Sequence, residues 1–254
     1  MARAFVAGFM LAGLAFVASG ALASPLNLLK NGGFEDVVKT GSQAEQRGQI
    51  DYNVSLPGWT SMAGNVIGYN FVFEAYTADS YGSPGQLGYL SIWGPANPGP
   101  ASDNGLPPHS PAGGNFIAIE AGDYANAPVQ QTVSGLAVGT RYALSFYAGV
   151  AQQFLYDGAS SVVLNVGFGD ATQAVGPVLN ASHGFSGWAA HTLGFTATAS
   201  TQVLSFLAAG TPTGVPPFVV LDAISVTEVP EPASLGLVAA GLIAAGFLLR
   251  RRRR

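Results

Sequence analysis

Cysteine is absent from all 254 residues. Its absence excludes disulfides, thiolate metal sites and a cysteine nucleophile, so stability has to come from an apolar core, with or without a bound ion. Charge is scarce as well: 9% of residues are Asp, Glu, Lys or Arg, against about a quarter in ordinary soluble domains. Helical proteins draw on Glu, Lys and Arg, which are few here, whereas 34 Gly and 16 Pro stand among many Ser, Thr, Val and Ala. This composition predicts an all-β chain. Between Ser24 and Glu228 four basic residues (Lys30, Lys39, Arg47, Arg141) face thirteen acidic ones, a net charge of −9. Nucleic acid requires clustered Lys and Arg and is excluded as a partner.

The two ends are built differently from the middle. Met1-Ala2-Arg3, an apolar run from Ala4 to about Ala18, and Ala21-Leu22-Ala23 make up a basic start, a short apolar stretch and a small-x-small cleavage site. These are the parts of a secretory signal peptide, so residues 1–23 are expected to direct the chain to the secretion machinery and be removed. At the other end Val229-Pro230-Glu231-Pro232 leads into seventeen uncharged residues, Ala233 to Leu249, followed by Arg250, Arg251, Arg252, Arg253 and Arg254. Seventeen helical residues span roughly 25 Å, the short limit for a transmembrane helix. The arginines act as a membrane stop that stays cytoplasmic, leaving the rest of the chain outside the inner membrane.

This tail resembles the PEP-CTERM sorting signal in having a Pro-Glu-Pro motif, one apolar span and a basic terminus in that order. The resemblance implies exosortase, a membrane-embedded protease that cuts near the motif, as a partner. It also implies a Gram-negative host that makes extracellular polysaccharide. Pro230 and Pro232 bar helix and sheet pairing and present an extended segment to an enzyme.

From Leu26 to Thr227 short apolar runs are broken by Gly, Pro, Asn and Asp. Strands are expected at 71–76, 86–93, 115–120, 128–133, 141–150, 161–168, 190–196, 202–208 and 218–226. Tyr142, Leu144 and Phe146 share one face, as do Val162, Leu164, Val166 and Phe168, with the period of two of a half-buried strand. Nine strands without intervening helices predict a two-sheet antiparallel β-sandwich or jelly roll over residues 24–228. A signal helix is expected before it, and a transmembrane helix within the 229–254 tail. Residues 40–49 are polar and fit a loop or a short helix. Residues 94–114 hold six prolines and five glycines without periodicity; a loop of this length is functional or disordered.

Asn31-Gly32-Gly33-Phe34-Glu35 and the later Pro57-Gly58-Trp59 resemble the opening of galactose-binding-like jelly rolls, several of them carbohydrate-binding modules. The blocks 114–119, 130–136 and 139–146 and the final run Leu221 to Val226 continue the resemblance. Asp222 shares strand parity with Phe218, Val220, Ile224 and Val226, which predicts a core-facing carboxylate. Burial without a partner is prohibitive, so a backbone donor, Arg141 or a cation is expected beside it. The resemblance implies that Glu35 and Asp222 are ligands of a structural calcium, an ion suited to carboxylate and carbonyl oxygens.

Aromatic faces stack on sugars while amides and carboxylates take the hydroxyls. Trp93, Tyr81, Tyr89 and Tyr124 are the candidate ligand-binding residues. Tyr69 and Tyr76 gather with the first three ahead of the long loop, and Tyr156, like Tyr124, falls in another expected loop; packing in core or rim is the competing role. Trp59 is expected to cap the core, and Trp188 fits either role. His109, His183 and His191 have no metal-ligand spacing and read as surface histidines, and no Gly-x-Ser-x-Gly elbow occurs. Glu74, Asp79, Glu120, Asp123 and Asp157 could supply a glycosidase pair, as in any acidic protein. The expectation is an exported, non-catalytic envelope or matrix protein associated with extracellular polysaccharide. The alternatives are a carbohydrate-binding module with a defined ligand and, after it, a glycan hydrolase.

Overall fold

The computed structural model describes residues 26–40, 48–80, 90–122, 124 and 126–230. The expected signal and transmembrane helices, most of the 40–49 segment, Tyr81, Tyr89, Asp123, Glu231, Pro232 and the five arginines lie outside the described residues. No helix occurs among the described residues.

Four two-residue strands come first: β1 (Val38–Lys39), β2 (Val54–Ser55), β3 (Met62–Ala63) and β4 (Val66–Ile67). Nine longer ones follow: β5 (Asn70–Phe73), β6 (Phe116–Glu120), β7 (Val129–Ser134), β8 (Arg141–Gln152), β9 (Ser160–Phe168), β10 (Ala171–Asn180), β11 (Ala189–Thr196), β12 (Thr201–Thr211) and β13 (Pro217–Glu228). They form an antiparallel β-sandwich with a four-stranded sheet, β10-β9-β12-β7, and a five-stranded sheet, β11-β8-β13-β6-β5. The period-two faces meet between the sheets, where Leu144, Phe146, Val162, Leu164, Val166, Phe206 and Leu221 form the main core.

Eight of the nine expected strands exist. Of the run 86–93, residues 86–89 lie outside the described residues, and Leu90–Trp93 makes a single bridge, Ile92 to Gln153. β10 was not expected, because Gly176-Pro177 interrupts it. Pairing with β9 overrides that break: the register shifts between Val175 and Val178, and proline is tolerated at an edge strand where its missing N–H is not needed. Gly169-Asp170, the two residues joining Phe168 to Ala171, is the hairpin signal that would have revealed it.

The outer face of the five-stranded sheet carries a second apolar cluster. Phe71, Phe73, Phe116, Ala118, Phe218 and Val220 lie under Ala78, Leu90, Ile92 and Leu106 from the connection between β5 and β6. The proline-rich stretch is therefore ordered and helps cover this face, through Leu106. Its prolines cannot build a ladder, so side chains satisfy the backbone instead. Asn97 Nδ2 donates to the Asp79 and Ile92 carbonyls (2.8 and 3.1 Å), and Asn104 Nδ2 donates to those of Trp93 and His183 (both 2.8 Å). Residues 49–60 close one side of the sandwich by bridging both edge strands, Gln49 to Phe71 and Thr60 to Gln130.

Candidate functional site

Asp222 sits where the final strand breaks register. A bulge between Asp222 and Ser225, with Ala223 at φ 53°, inverts the expected parity. Phe218 and Val220 face the covering connection, whereas Ile224 and Val226 face the main core. The Asn-Gly-Gly-Phe-Glu segment docks onto this bulge. Phe34 N donates to Asn31 O (3.2 Å), Ile224 N donates to Gly32 O (2.8 Å), and a Cβ on residue 32 would strike the Ile224 carbonyl. Glycine is required there because backbone meets backbone.

Asp222 is 1% exposed. Ser110, near the end of the proline-rich connection, donates its hydroxyl to Asp222 Oδ2, while Oδ1 has no partner among the described residues. Arg141, one of the expected partners, lies instead against Gly194, where a Cβ would touch the guanidinium at 2.9 Å. Burial pushes the Asp222 carboxyl up to about 7, opposed by hydrogen bonds from Ser110 and the Ala223 backbone and reinforced by the Glu35 charge. Glu35 is exposed. Its Oε1 accepts from Asn115 N (2.9 Å), and a side chain at 114 would collide with it. The structure thus brings Glu35 and Asp222 within electrostatic reach, with one buried carboxylate oxygen uncompensated. That donor set fits a hard, oxygen-seeking cation.

The aromatic candidates divide. Trp93 is 4% exposed, with His183 stacked on it at 3.8 Å and Phe154 edge-on at 4.8 Å. Its indole N–H donates to Tyr156 O (2.8 Å), so its ring packs and offers no free face. Tyr124 is exposed at 44%; its hydroxyl lies 2.7 Å from that of Tyr156, and its ring lies 4.6 Å from Tyr69. Tyr69, Tyr124 and Tyr156 thus form a rim at one end of the sandwich. Tyr76 stands apart against His109.

Trp59 is buried between Phe34 and Phe206, as expected, and Trp188 packs edge-on to Phe116 on the second cluster. Two histidines are partly exposed and also make contacts. His183 pairs with Asp157 at 2.5 Å, and His191 stacks on Phe146 with its pKa lowered by burial. Two of the candidate carboxylates are engaged locally: Glu120 Oε2 accepts from Gly122 N (3.0 Å) and Tyr124 N (3.2 Å), and Asp79 Oδ2 accepts from Ala96 N (2.8 Å).

The outward positions of the four-stranded sheet carry no aromatic ring. They hold Val163, Asn165, Gly167, Val203, Ser205, Leu207, Gln130, Thr132 and Ser134. At the β7 edge this face runs into a groove of about 480 Å³ floored by Gly58, Trp59 and Thr60. In the sequence Lys30, Gly58, Trp59 and the block 130–136 stand out for other reasons and none of them is marked as ligand-binding, because Gln, Thr and Ser on an edge strand look like ordinary solvent-facing positions.

β13 ends at Glu228, and Val229 N still donates to Arg141 O (2.9 Å). Residues 228–254 match the PEP-CTERM protein-sorting motif. The chain ends in a PEP-CTERM sorting signal. The signal implies an exported protein that passes through a membrane-anchored intermediate in the cell envelope and is processed by exosortase. It begins on the last residue of the sandwich, so only Val229 separates the final strand from the Pro-Glu-Pro motif.

No curated protein matches the chain. Among solved structures it is similar to TmCBM61 in complex with beta-1,4-galactotriose, at 14% identity and a TM-score of 0.41 over 80% of this chain and 99% of that one. It is also similar to a CBM4 structure, at 16% and 0.35 over 79% and 99%. A third is the N-terminal cellulose-binding domain of Cellulomonas fimi beta-1,4-glucanase C, at 16% and 0.28 over 69% and 97%.

Proposed function

We propose that this chain is a non-catalytic surface or matrix protein, an acidic sandwich of residues 24–228 that exosortase releases from the membrane to associate with extracellular polysaccharide. The observation that carries the reading is the junction at Glu228, where the sorting signal starts on the last residue of a completed sandwich. Cutting near Pro230-Glu231-Pro232 leaves both sheets and their cover whole, so the exported product is the folded body itself. Intact mass and fractionation of the native protein test this. A species beginning at Ser24 and ending near Pro230–Pro232, outside the inner membrane, is expected. A full-length tail retained in the membrane, or normal maturation after the motif is replaced by alanines, would defeat the sorting part of the reading.

The same reading gives Glu35 and Asp222 as carboxylate ligands of a structural calcium, supported by the unpartnered Asp222 Oδ1 and the nearby Glu35 charge. A bound cation would compensate the buried carboxylate and hold the N-terminal segment, β13 and Ser110 together. Thermal unfolding with and without chelator decides it: a raised midpoint in calcium is expected, and identical midpoints would rule the ion out.

A carbohydrate-binding module with a defined glycan is the second reading. Support for it comes from the Tyr124–Tyr156 rim rather than from Trp93, whose faces are covered; Tyr81 and Tyr89 remain candidates for the same role. Loss of retardation in affinity electrophoresis by a Tyr124→Ala, Tyr156→Ala variant is expected if the rim binds sugar. Unchanged mobility of that variant would remove the rim from the site.

A further inference from the structure

The groove at the β7 edge combines features that the polysaccharide reading alone does not require. Its lining includes the side chains of Gln130, Thr132 and Ser134, hydroxyl and amide groups that both donate and accept, with that of Lys30 and with Thr60, whose hydroxyl donates to Asp51 Oδ2 (2.7 Å). No carboxylate lines it. In a body of charge −9, Lys30 is exposed and makes no ion pair among the described residues.

The backbone beneath that ammonium is braced from three directions. Gln131, only 4% exposed, accepts from Lys30 N through Oε1 (2.8 Å) and donates through Nε2 to Lys30 O (2.9 Å). Trp59 Nε1 donates to the same carbonyl (3.1 Å). Gly58, at φ +91°, makes room: a Cβ there would lie 3.1 Å from both Lys30 Cβ and Gln131 Nε2. A buried amide that forms a two-point clamp on one residue's backbone fixes where that side chain starts, so less ordering is left to occur on binding. A groove of about 480 Å³ falls within the range of small-molecule sites.

We infer that this groove binds an acidic saccharide, with the Lys30 ammonium taking the sugar's carboxylate and Gln130, Thr132 and Ser134 taking its hydroxyls. The chemistry that selects the ligand is a single uncompensated cation set among neutral hydrogen-bonding groups. A neutral sugar would leave the cation without its counter-charge, and a polyanion held by charge alone would not need the clamp. The inference rests on the polysaccharide reading and narrows it to one site and one ligand class.

Affinity electrophoresis of the mature exported protein tests it, using polygalacturonate, its methyl-esterified form, dextran and the host's own extracellular polysaccharide. Retardation by polygalacturonate is expected to exceed that by the ester, and to weaken roughly tenfold in Lys30→Gln, the loss of a charge-assisted bond. Ser134→Glu, a like charge at an exposed position, is expected to weaken it too. Lys39→Gln, the same charge change on β1 away from the groove, is expected to leave it unchanged. Equal retardation by acid and ester, or equal losses in Lys30→Gln and Lys39→Gln, would overturn the site while leaving polysaccharide association standing. No retardation by any of the four would overturn both.

Discussion

The two sheets of this sandwich have opposite outer faces. On the five-stranded sheet β5, β6, the end of β8 and the start of β13 are buried on both sides, every residue of Phe116–Glu120 included, because the connection between β5 and β6 folds back over Phe71, Phe73, Phe116 and Phe218, while β11 at the far edge stays open. On the four-stranded sheet the alternation is half-open, buried and part-buried in turn along β9, and the outward residues are polar or aliphatic with no aromatic ring among them. A sheet face that is covered has to be apolar, and one that meets water or a ligand need not be. The difference ties stability to the covered face and leaves the other open to solvent.

Removing a ring from the covered face should have the largest effect. Phe218→Ala is expected to cost ~3–5 kcal/mol of stability in chemical denaturation, with the connection loosening over the cavity left behind. A cost near that of a surface substitution would mean the cover does not pack as described. Next is the pH dependence of the seam beneath the cover. Because the folded Asp222 carboxyl titrates near 7 and its ordinary value is 3.8, the folded state keeps a proton that the unfolded chain has given up. In chelated protein that stabilisation is full below about pH 4 and is lost as pH rises through about 7. Melting curves should show the midpoint falling across that window and the slope flattening in Asp222→Asn; an unchanged slope in that variant would place the titration elsewhere.

Ser110→Ala removes the hydroxyl that ties the connection to Asp222 and should cost ~1–3 kcal/mol at neutral pH, measured by denaturant titration. On the open face, Val203→Ala, at a position 42% exposed, should stay within about 0.5 kcal/mol. A larger loss there would erase the contrast between the faces.

Much of the sandwich could be read from the chain because alternation is a local signal. Tyr142-Leu144-Phe146 and Val162-Leu164-Val166-Phe168 mark their inward faces without reference to any other strand. β10 could not be read that way, since its Gly-Pro interruption is made tolerable only by pairing with β9. The parity of Asp222 was misleading for a related reason: one bulge at Ala223 turns the following residues over, and local sequence does not announce it. Asn31-Gly32-Gly33-Phe34-Glu35 was legible as a unit, whereas its docking on Asn115 and the β13 bulge was not.

By itself the sequence determined the tail's chemistry, the absence of disulfides, the acidic body and the all-β class, because composition, spacing and period-two patterning are properties of the chain read one residue at a time. Tertiary structure alone decided that the proline-rich stretch helps cover a sheet face, that Trp93 is packed away, and that Lys30, held by Gln131 101 residues later, opens onto a polar groove. These outcomes depend on which distant segments share a surface, and burial is decided only when both partners are in place.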